Sequence, residues 1–352
     1  MIDLFSPVTL GPHILTNRLG MAPMTRSRAN PDGTPTSLML EYYAQRASLG
    51  LILTEATQPS DIGQGNINTP GIYTADHIEG WKKVTSAVHS KGARIFIQVM
   101  HVGRMSHPDN VVGNLQAIAP SAIAPKVKLH TPNGLQDVPT PREMSDEDIR
   151  QTIADYRHAA RCAIAAGADG VEVHGANGYL LQQFLAPNAN VRTDAYGGSI
   201  ENRARLPIEI VKAVVDEIGA ERTGFRISPG GSLGDLDEGE QGPALYRYLI
   251  AELDKLGLAF LDVMHWGNEE LLADIRKLWH QTLILNRPGR SREQIGADVR
   301  TGLADIESYG SMTLANPDFA RRVQYGLAFN EPDKALFFGG DARGYTDYPI
   351  HA

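Results

Sequence analysis

The sequence predicts a (β/α)8 barrel, a closed parallel α/β fold, and three observations predict it. Short apolar runs with strand character alternate with longer amphipathic runs of helical period, which is the pattern of βα units around a parallel sheet. Eight such apolar runs can be marked, the number at which the units close on themselves. The glycine-rich turn that announces an open doubly wound sheet after its first strand is missing. At 352 residues the chain has the length of one such barrel with insertions, and residues 1–352 are expected to form one domain.

The elements follow in order. Residues 1–16 are expected to cap the barrel: the stretch 4–16 reads as a short hairpin turning at Leu10-Gly11-Pro12, set as a plug over the N-terminal mouth. The strand-like runs are 18–23, 50–55, 94–100, 170–174, 223–228, 259–264, 282–285 and 304–309. A helix is expected over 76–91, where Ile78, Trp81, Val84 and Val88 share one face, Asp76 offers a cap and Gly92 a stop. Another opens at Ser145 with Asp148 three residues on, a capping-box spacing, and carries Ile149, Ile153, Tyr156, Ala160 and Ile164 on one face. One connection stands apart. Residues 101–144 follow the third strand and contain six prolines, Pro108, Pro120, Pro125, Pro132, Pro139 and Pro141. A loop of that length leaving the C-terminal end of a barrel strand is expected to be a lid or a pocket wall.

Composition excludes several function classes. A formal charge of −8 and the absence of any long basic run leave no footprint for nucleic acid or an anionic membrane. The N-terminus lacks a signal-peptide pattern, and no stretch reaches the roughly 18 apolar residues of a membrane span. The single cysteine, Cys162, excludes an intrachain disulfide and sits among alanines as a small buried hydrophobe. The expected partner is a small molecule and the expected location the cytoplasm; oligomeric state leaves no trace in the sequence.

Chemistry concentrates where strands end. In Val171-Glu172-Val173-His174-Gly175-Ala176-Asn177-Gly178-Tyr179 a buried strand runs out into a histidine, an asparagine and a tyrosine spaced by small residues. A neutral imidazole and an amide can both donate to one carbonyl oxygen, and one such donor is typically worth about 2.7–4 kcal/mol of barrier. A tyrosine, with an unperturbed pKa near ~10, keeps its proton at neutral pH and can pass it to carbon. At the end of the first strand, Met21-Ala22-Pro23-Met24-Thr25-Arg26 offers a threonine to a ligand, or is a plain strand exit. Gln98 and Arg226 are polar side chains within apolar strands, and each needs a partner: a ligand, or for Arg226 a fixed salt bridge.

These residues carry a family resemblance. Asn17-Arg18, Met21 to Arg26, Thr54-Glu55-Ala56, Pro70-Gly71-Ile72 and Gln98 with His101-Val102-Gly103-Arg104 occur in one order with the His174, Asn177, Tyr179 cluster. Arg192-Thr193-Asp194, Arg226, Ala315-Asn316-Pro317 and Gly344-Tyr345 continue it, so that the chain resembles the Old Yellow Enzyme family of FMN-dependent ene-reductases over nearly its whole length. The resemblance implies FMN as cofactor and NAD(P)H as reductant. It implies that Pro23, Met24, Thr25, Ala56, Gln98 and Arg226 line the flavin, that His174 and Asn177 hold a substrate carbonyl, and that Tyr179 donates the proton. Tyr345 is expected at the pocket rim.

The chain departs from the family pattern at the cofactor phosphate. Relatives carry a glycine-rich turn after the seventh strand and a Gly-Arg pair after the eighth; this chain has Asn286-Arg287-Pro288-Gly289 and Gly310-Ser311. The expected compensation is that Arg287 supplies the charge and Ser311 donates through its hydroxyl and its backbone. Met100 stands where a tryptophan is frequent and Asn66 where a tyrosine is, which softens the substrate pocket. The expected activity is reduction of the C=C bond of α,β-unsaturated carbonyl compounds. The alternatives are a flavin-dependent dehydrogenase, oxidase or isomerase, or a barrel that binds a ligand without catalysis.

Overall fold

The computed structural model describes residues 3–351. The hairpin forms from β1 (Val8–Leu10) and β2 (His13–Leu15), paired antiparallel. Gly11 turns it with φ +52°, and a side chain there would collide with the Glu221 carbonyl, so the tip lies tight against the underside of the barrel. Leu10 and Leu15 pack with Leu51, Phe96, Phe260, Ile284 and Ile306, which closes the N-terminal mouth with hydrocarbon.

The barrel takes β3 (Leu19–Met21), β4 (Leu51–Leu53) and β5 (Arg94–Val99) first. Residues 101–144 follow β5 and are not one irregular loop. They contain β6 (Ile118–Ala119), a hairpin of β7 (Lys128–Thr131) and β8 (Gly134–Asp137), and β9 (Arg142–Glu143), which pairs with β6. The barrel resumes with β10 (Gly170–His174), β11 (Thr223–Ile227), β12 (Phe260–Met264), β13 (Thr282–Asn286) and β14 (Ile306–Tyr309). All neighbours are parallel, and β14 closes on β3 with Ser308 opposite Gly20. The register sets His174 beside Arg226, Arg226 beside Asp262, and Glu172 beside Gln98.

Helices α1 (Ser37–Gln45), α2 (Ala75–His89), α3 (Asp146–Ala165), α4 (Leu180–Leu185), α5 (Ile200–Ile218), α6 (Gly242–Asp254) and α7 (Glu269–Leu278) surround the strands. The shorter α8 (Ala297–Thr301), α9 (Ser311–Ala315) and α10 (Phe319–Tyr325) complete the set. The Ser145–Asp148 capping box forms as the spacing predicts. The cap of α2 is Thr74 rather than Asp76: its hydroxyl accepts the His77 amide, and Asp76 lies within the first turn.

The N-terminal face is knit by Asp169, just before β10. Its carboxylate accepts from the Ile95 amide at 2.8 Å, His89 Nε2 at 2.7 Å and Arg94 Nη1 at 3.1 Å, and against burial the His89 and Ile95 hydrogen bonds hold it below its usual pKa. Over the other face, residues 327–351 fold back and are tied by guanidinium groups to backbone carbonyls. Arg26 donates to Phe337 and Gly344 oxygens at 2.8 Å each, and Arg28 to the Asp341 oxygen at 3.0 Å.

Candidate active site

The C-terminal mouth holds a cavity of about 400 Å³. Pro23, Met24 and Thr25 from the β3 exit form one wall, Asn177 and Arg226 stand at the β10–β11 side, and Asn286 to Arg290 with Ser308 to Met312 form the β13–β14 side. Met264, Phe337 and Phe338 add apolar surface.

Small residues are needed to bring the polar ones here. A side chain at Gly175 would strike the Phe225 ring, and one at Gly178 the Leu233 carbonyl. Between them Asn177 has φ +55°, a left-handed conformation that asparagine tolerates better than most residues. Its backbone is fixed from behind: the amide donates to Ser228 Oγ at 2.8 Å, and Gln182 Oε1 takes the Gly178 amide at 2.7 Å.

The polar atoms at this mouth are left without partners in the chain. Both ring nitrogens of His174, Asn177 Oδ1, Arg226 Nε and Ser308 Oγ are buried and make no hydrogen bond. Buried polar atoms are rarely orphaned, so several around one cavity mark a place where a ligand completes them. Burial and the neighbouring Arg226 charge hold the His174 pKa well below the ordinary value, so the ring is a neutral donor. Burial raises Tyr179 and keeps its hydroxyl protonated. The two rings lie 5.6 Å apart at 52°. A planar heterocycle with polar edges and an apolar face, as in a flavin, suits this donor set and these methionine and phenylalanine walls.

Several expected site residues lie elsewhere. Tyr345 is not at the rim: it is fully buried, stacked on Tyr42 at 4.1 Å and 10°, with Arg28 4.4 Å from its ring centre. Phe337 and Phe338 of the same segment reach the cavity instead. Ala56 and Gln98 do not border it, nor do His174 and Tyr179, between which only Asn177 reaches the lining; the Gln98 amide is turned to Glu172 Oε1 at 2.7 Å. Ala56 and Met100 cluster with Val102, against which Met105 and Tyr179 pack, and the Asn66 side chain meets the Tyr179 hydroxyl. No residue of 101–144 borders the cavity; that segment meets Tyr179 through the Ala56, Met100 and Val102 cluster.

The phosphate expectation needs the largest correction. Arg287 lines the cavity, but its guanidinium is already held by Glu269 at 2.5 and 3.0 Å and by Asp298 at 2.9 Å, with His265 Nδ1 at 3.0 Å. Its charge is therefore spent. Arg290 also lines the cavity and is gripped by Asp298 and Glu307 through its Nη atoms, leaving Nε without a partner among the described residues. The amides of Gly289, Gly310 and Ser311 likewise find no acceptor there.

Sequence reasoning passed over Arg290, Ser308, Asp262 and the two phenylalanines. The argument applied to Gln98, a polar residue in an apolar strand, finds Ser308 and Asp262 when extended to them. Among the described residues no cluster suits a metal ion, and no helix is long and apolar enough to cross a membrane.

Residues 3–330 match the model of the NADH:flavin oxidoreductase / NADH oxidase family. A probable flavin mononucleotide-dependent alkene reductase of Leishmania infantum is 41% identical, covering 99% of this chain and 97% of that protein. The 12-oxophytodienoate reductase 1 of Oryza sativa subsp. japonica is 40% identical, covering 99% and 93%. Among solved structures, morphinone reductase in complex with tetrahydroNAD superposes with a TM-score of 0.95 at 42% identity, covering 100% of this chain and 98% of that one. An old yellow enzyme homologue from Zymomonas mobilis superposes with a TM-score of 0.95 at 37% identity, covering 99% and 100%.

Proposed function

The chain belongs to the Old Yellow Enzyme family of flavin oxidoreductases, and from that premise we propose that it is an FMN-dependent ene-reductase of α,β-unsaturated carbonyl compounds. When bound, FMN would supply the hydride chemistry between NAD(P)H and the β-carbon of the alkene in alternate, ping-pong half-reactions. The protein supplies position, polarity and a proton. His174, neutral, and the Asn177 amide donate to the substrate carbonyl oxygen and stabilise the negative charge that grows on it. Tyr179 passes its hydroxyl proton to the α-carbon, and Asn66 orients that hydroxyl. Pro23, Met24, Thr25 and Arg226 flank the flavin, with Ala56 and Gln98 in the layer behind.

At the phosphate end the support lies in neutral donors: the amides of Gly289, Gly310 and Ser311 and the Ser311 hydroxyl, with Arg290 beside them. The pairs formed by Arg287 and Arg290 with Glu269, Asp298 and Glu307 leave no uncompensated cation in that cluster. The substrate is a small molecule, and we place the enzyme in the cytoplasm, in keeping with its one free, buried cysteine.

The observation that carries this reading is the group of orphaned polar atoms on Asn177, Arg226 and Ser308 around one apolar-walled cavity, with the unpartnered His174 ring at the same β10 exit. The test is optical. Purified protein should be yellow, bleach with NADH or NADPH without air, and regain colour on addition of 2-cyclohexenone. Colourless protein that takes up no FMN overturns the flavin assignment. Bleaching that no enone, maleimide or nitroalkene reverses overturns the ene-reductase.

A further inference from the structure

Beneath the cavity lies a charge arrangement that the reaction itself does not use. Arg226, on β11, donates through Nη1 to Asp262 Oδ2 on β12, its register partner, and both side chains are buried. Its Nη2 reaches Asn286 Oδ1 at 3.4 Å, and Nε, unpartnered, belongs to the residue that borders the cavity. On the far side, Glu172 takes the Gln98 amide at 2.7 Å, while Glu172 Oε2 and Asp262 Oδ1 have no donor in the chain.

The two carboxyls act on each other through their charges. Burial, together with the charge of Asp262, pushes the Glu172 carboxyl well above the usual carboxylate range and leaves it neutral. Asp262 is also raised by burial, but the Arg226 charge opposes that rise, and the ion pair with Arg226 places the negative charge on Asp262. The three groups therefore comprise one cation, one anion and one neutral acid. In a water-poor interior this count matters, because a buried charge is screened far less than one at the surface. With an uncharged residue at position 262, Arg226 would present a whole positive charge to whatever occupies the cavity.

We propose that Asp262 tunes the reduction potential of the bound flavin, by cancelling much of the Arg226 charge that would otherwise favour the reduced ring. The inference rests on the flavin reading above. When NAD(P)H passes a hydride, the ring gains two electrons and one proton and NAD(P)+ leaves, so the ring acquires one unit of negative charge. Arg226 stabilises that charge and Asp262 opposes it. Asp262 acts through Arg226 and touches neither flavin nor substrate. The result is a flavin held at a more negative potential, harder to reduce with NAD(P)H and a stronger donor to the alkene.

The test is a redox titration of the FMN-loaded protein. Asp262→Asn should shift the midpoint to a less negative value, Asp262→Glu should keep it near the wild type, and Glu172→Gln, which replaces a neutral group with a neutral one, should move it little. A merely structural role for Asp262 predicts no ordered shift among the three. The double variant Arg226→Gln with Asp262→Asn leaves no buried charge unpaired and serves if the single variant does not fold. Its midpoint should stay close to wild type, whereas Arg226→Gln alone should fall to a more negative value. An Asp262→Asn midpoint that is unchanged or more negative overturns the proposal, as does a double variant as low as Arg226→Gln. Either result leaves the flavin assignment intact, whereas wild-type protein that never binds FMN removes that assignment itself.

Discussion

The two ends of the barrel are built from similar residues and treated in opposite ways. At the N-terminal face Asp169 is met by an amide, an imidazole and a guanidinium, and the mouth is filled by leucines and phenylalanines. At the C-terminal face His174, Asn177, Arg226 and Ser308 hold polar atoms that nothing in the chain satisfies. One end meets its buried carboxylate with donors from the chain; the other leaves a group of polar atoms for a ligand to complete. Stability and function are thus separated along the barrel axis, and each of the following measurements can break or sharpen that separation.

The largest effect is expected at the open end. His174→Ala should lose about 2.7–4 kcal/mol of barrier stabilisation in enone reduction, roughly a hundredfold to a thousandfold in kcat, with little change in melting temperature. A fall in melting temperature that accounts for the lost rate would break the comparison. The same logic gives Tyr179→Phe a slow oxidative half-reaction while reduction by NAD(P)H proceeds, which stopped-flow absorbance separates.

Next comes Glu55, fully buried behind the β3 exit, where it accepts the Arg26 amide at 3.0 Å. Burial raises its pKa from 4.5 to about 7, against the opposing hydrogen bonds and charge of Arg26. The folded state therefore holds this proton more tightly than the unfolded chain does. That stabilisation is complete below about pH 4.5, declines as the pH rises towards 7 and is lost above it, a change of about 3 kcal/mol at ~1.4 kcal/mol per pH unit. Glu55→Gln should flatten the curve in urea unfolding of flavin-free protein at pH 5 and pH 8; an unaltered slope assigns the titration elsewhere.

At the closed end Asp169→Ala should cost about 1–3 kcal/mol of stability by orphaning the buried Ile95 amide. FMN affinity should stay as it is, and a coupled loss of affinity would show the ends are not independent. The smallest effect belongs to the phosphate end. Ser311→Arg should tighten FMN but not riboflavin by about tenfold, ~1.4 kcal/mol, in fluorescence titration. Equal tightening of both would place residue 311 away from the phosphate.

Much of this was legible in the chain. Period and spacing predict the eight strands, because each must bury a continuous apolar run, and His174, Asn177 and Tyr179 announce themselves by following one such run immediately. Partner choice is less legible. That Arg226 belongs to Asp262 and Gln98 to Glu172 follows from strand register, which joins residues 36 and 74 positions apart. Arg287 looked free because the sequence does not display Glu269 and Asp298 around it. Tyr345 looked like a rim residue because its stacking partner, Tyr42, lies some three hundred residues earlier.

The seam between β14 and β3 joins Tyr309 to Met21, and Arg26 holds the Phe337 carbonyl. During synthesis β3 and its exit therefore wait for partners made some three hundred residues later. Contacts of such long sequence separation form late, and chains emerge N-terminus first. Met24 and Thr25 are exposed to the ribosome's surroundings long before Ser311 and Phe338 exist to face them. Cofactor capture is thereby made to wait for residues as far along as Phe338, and a translation product that stops before them has no complete pocket in which to trap flavin.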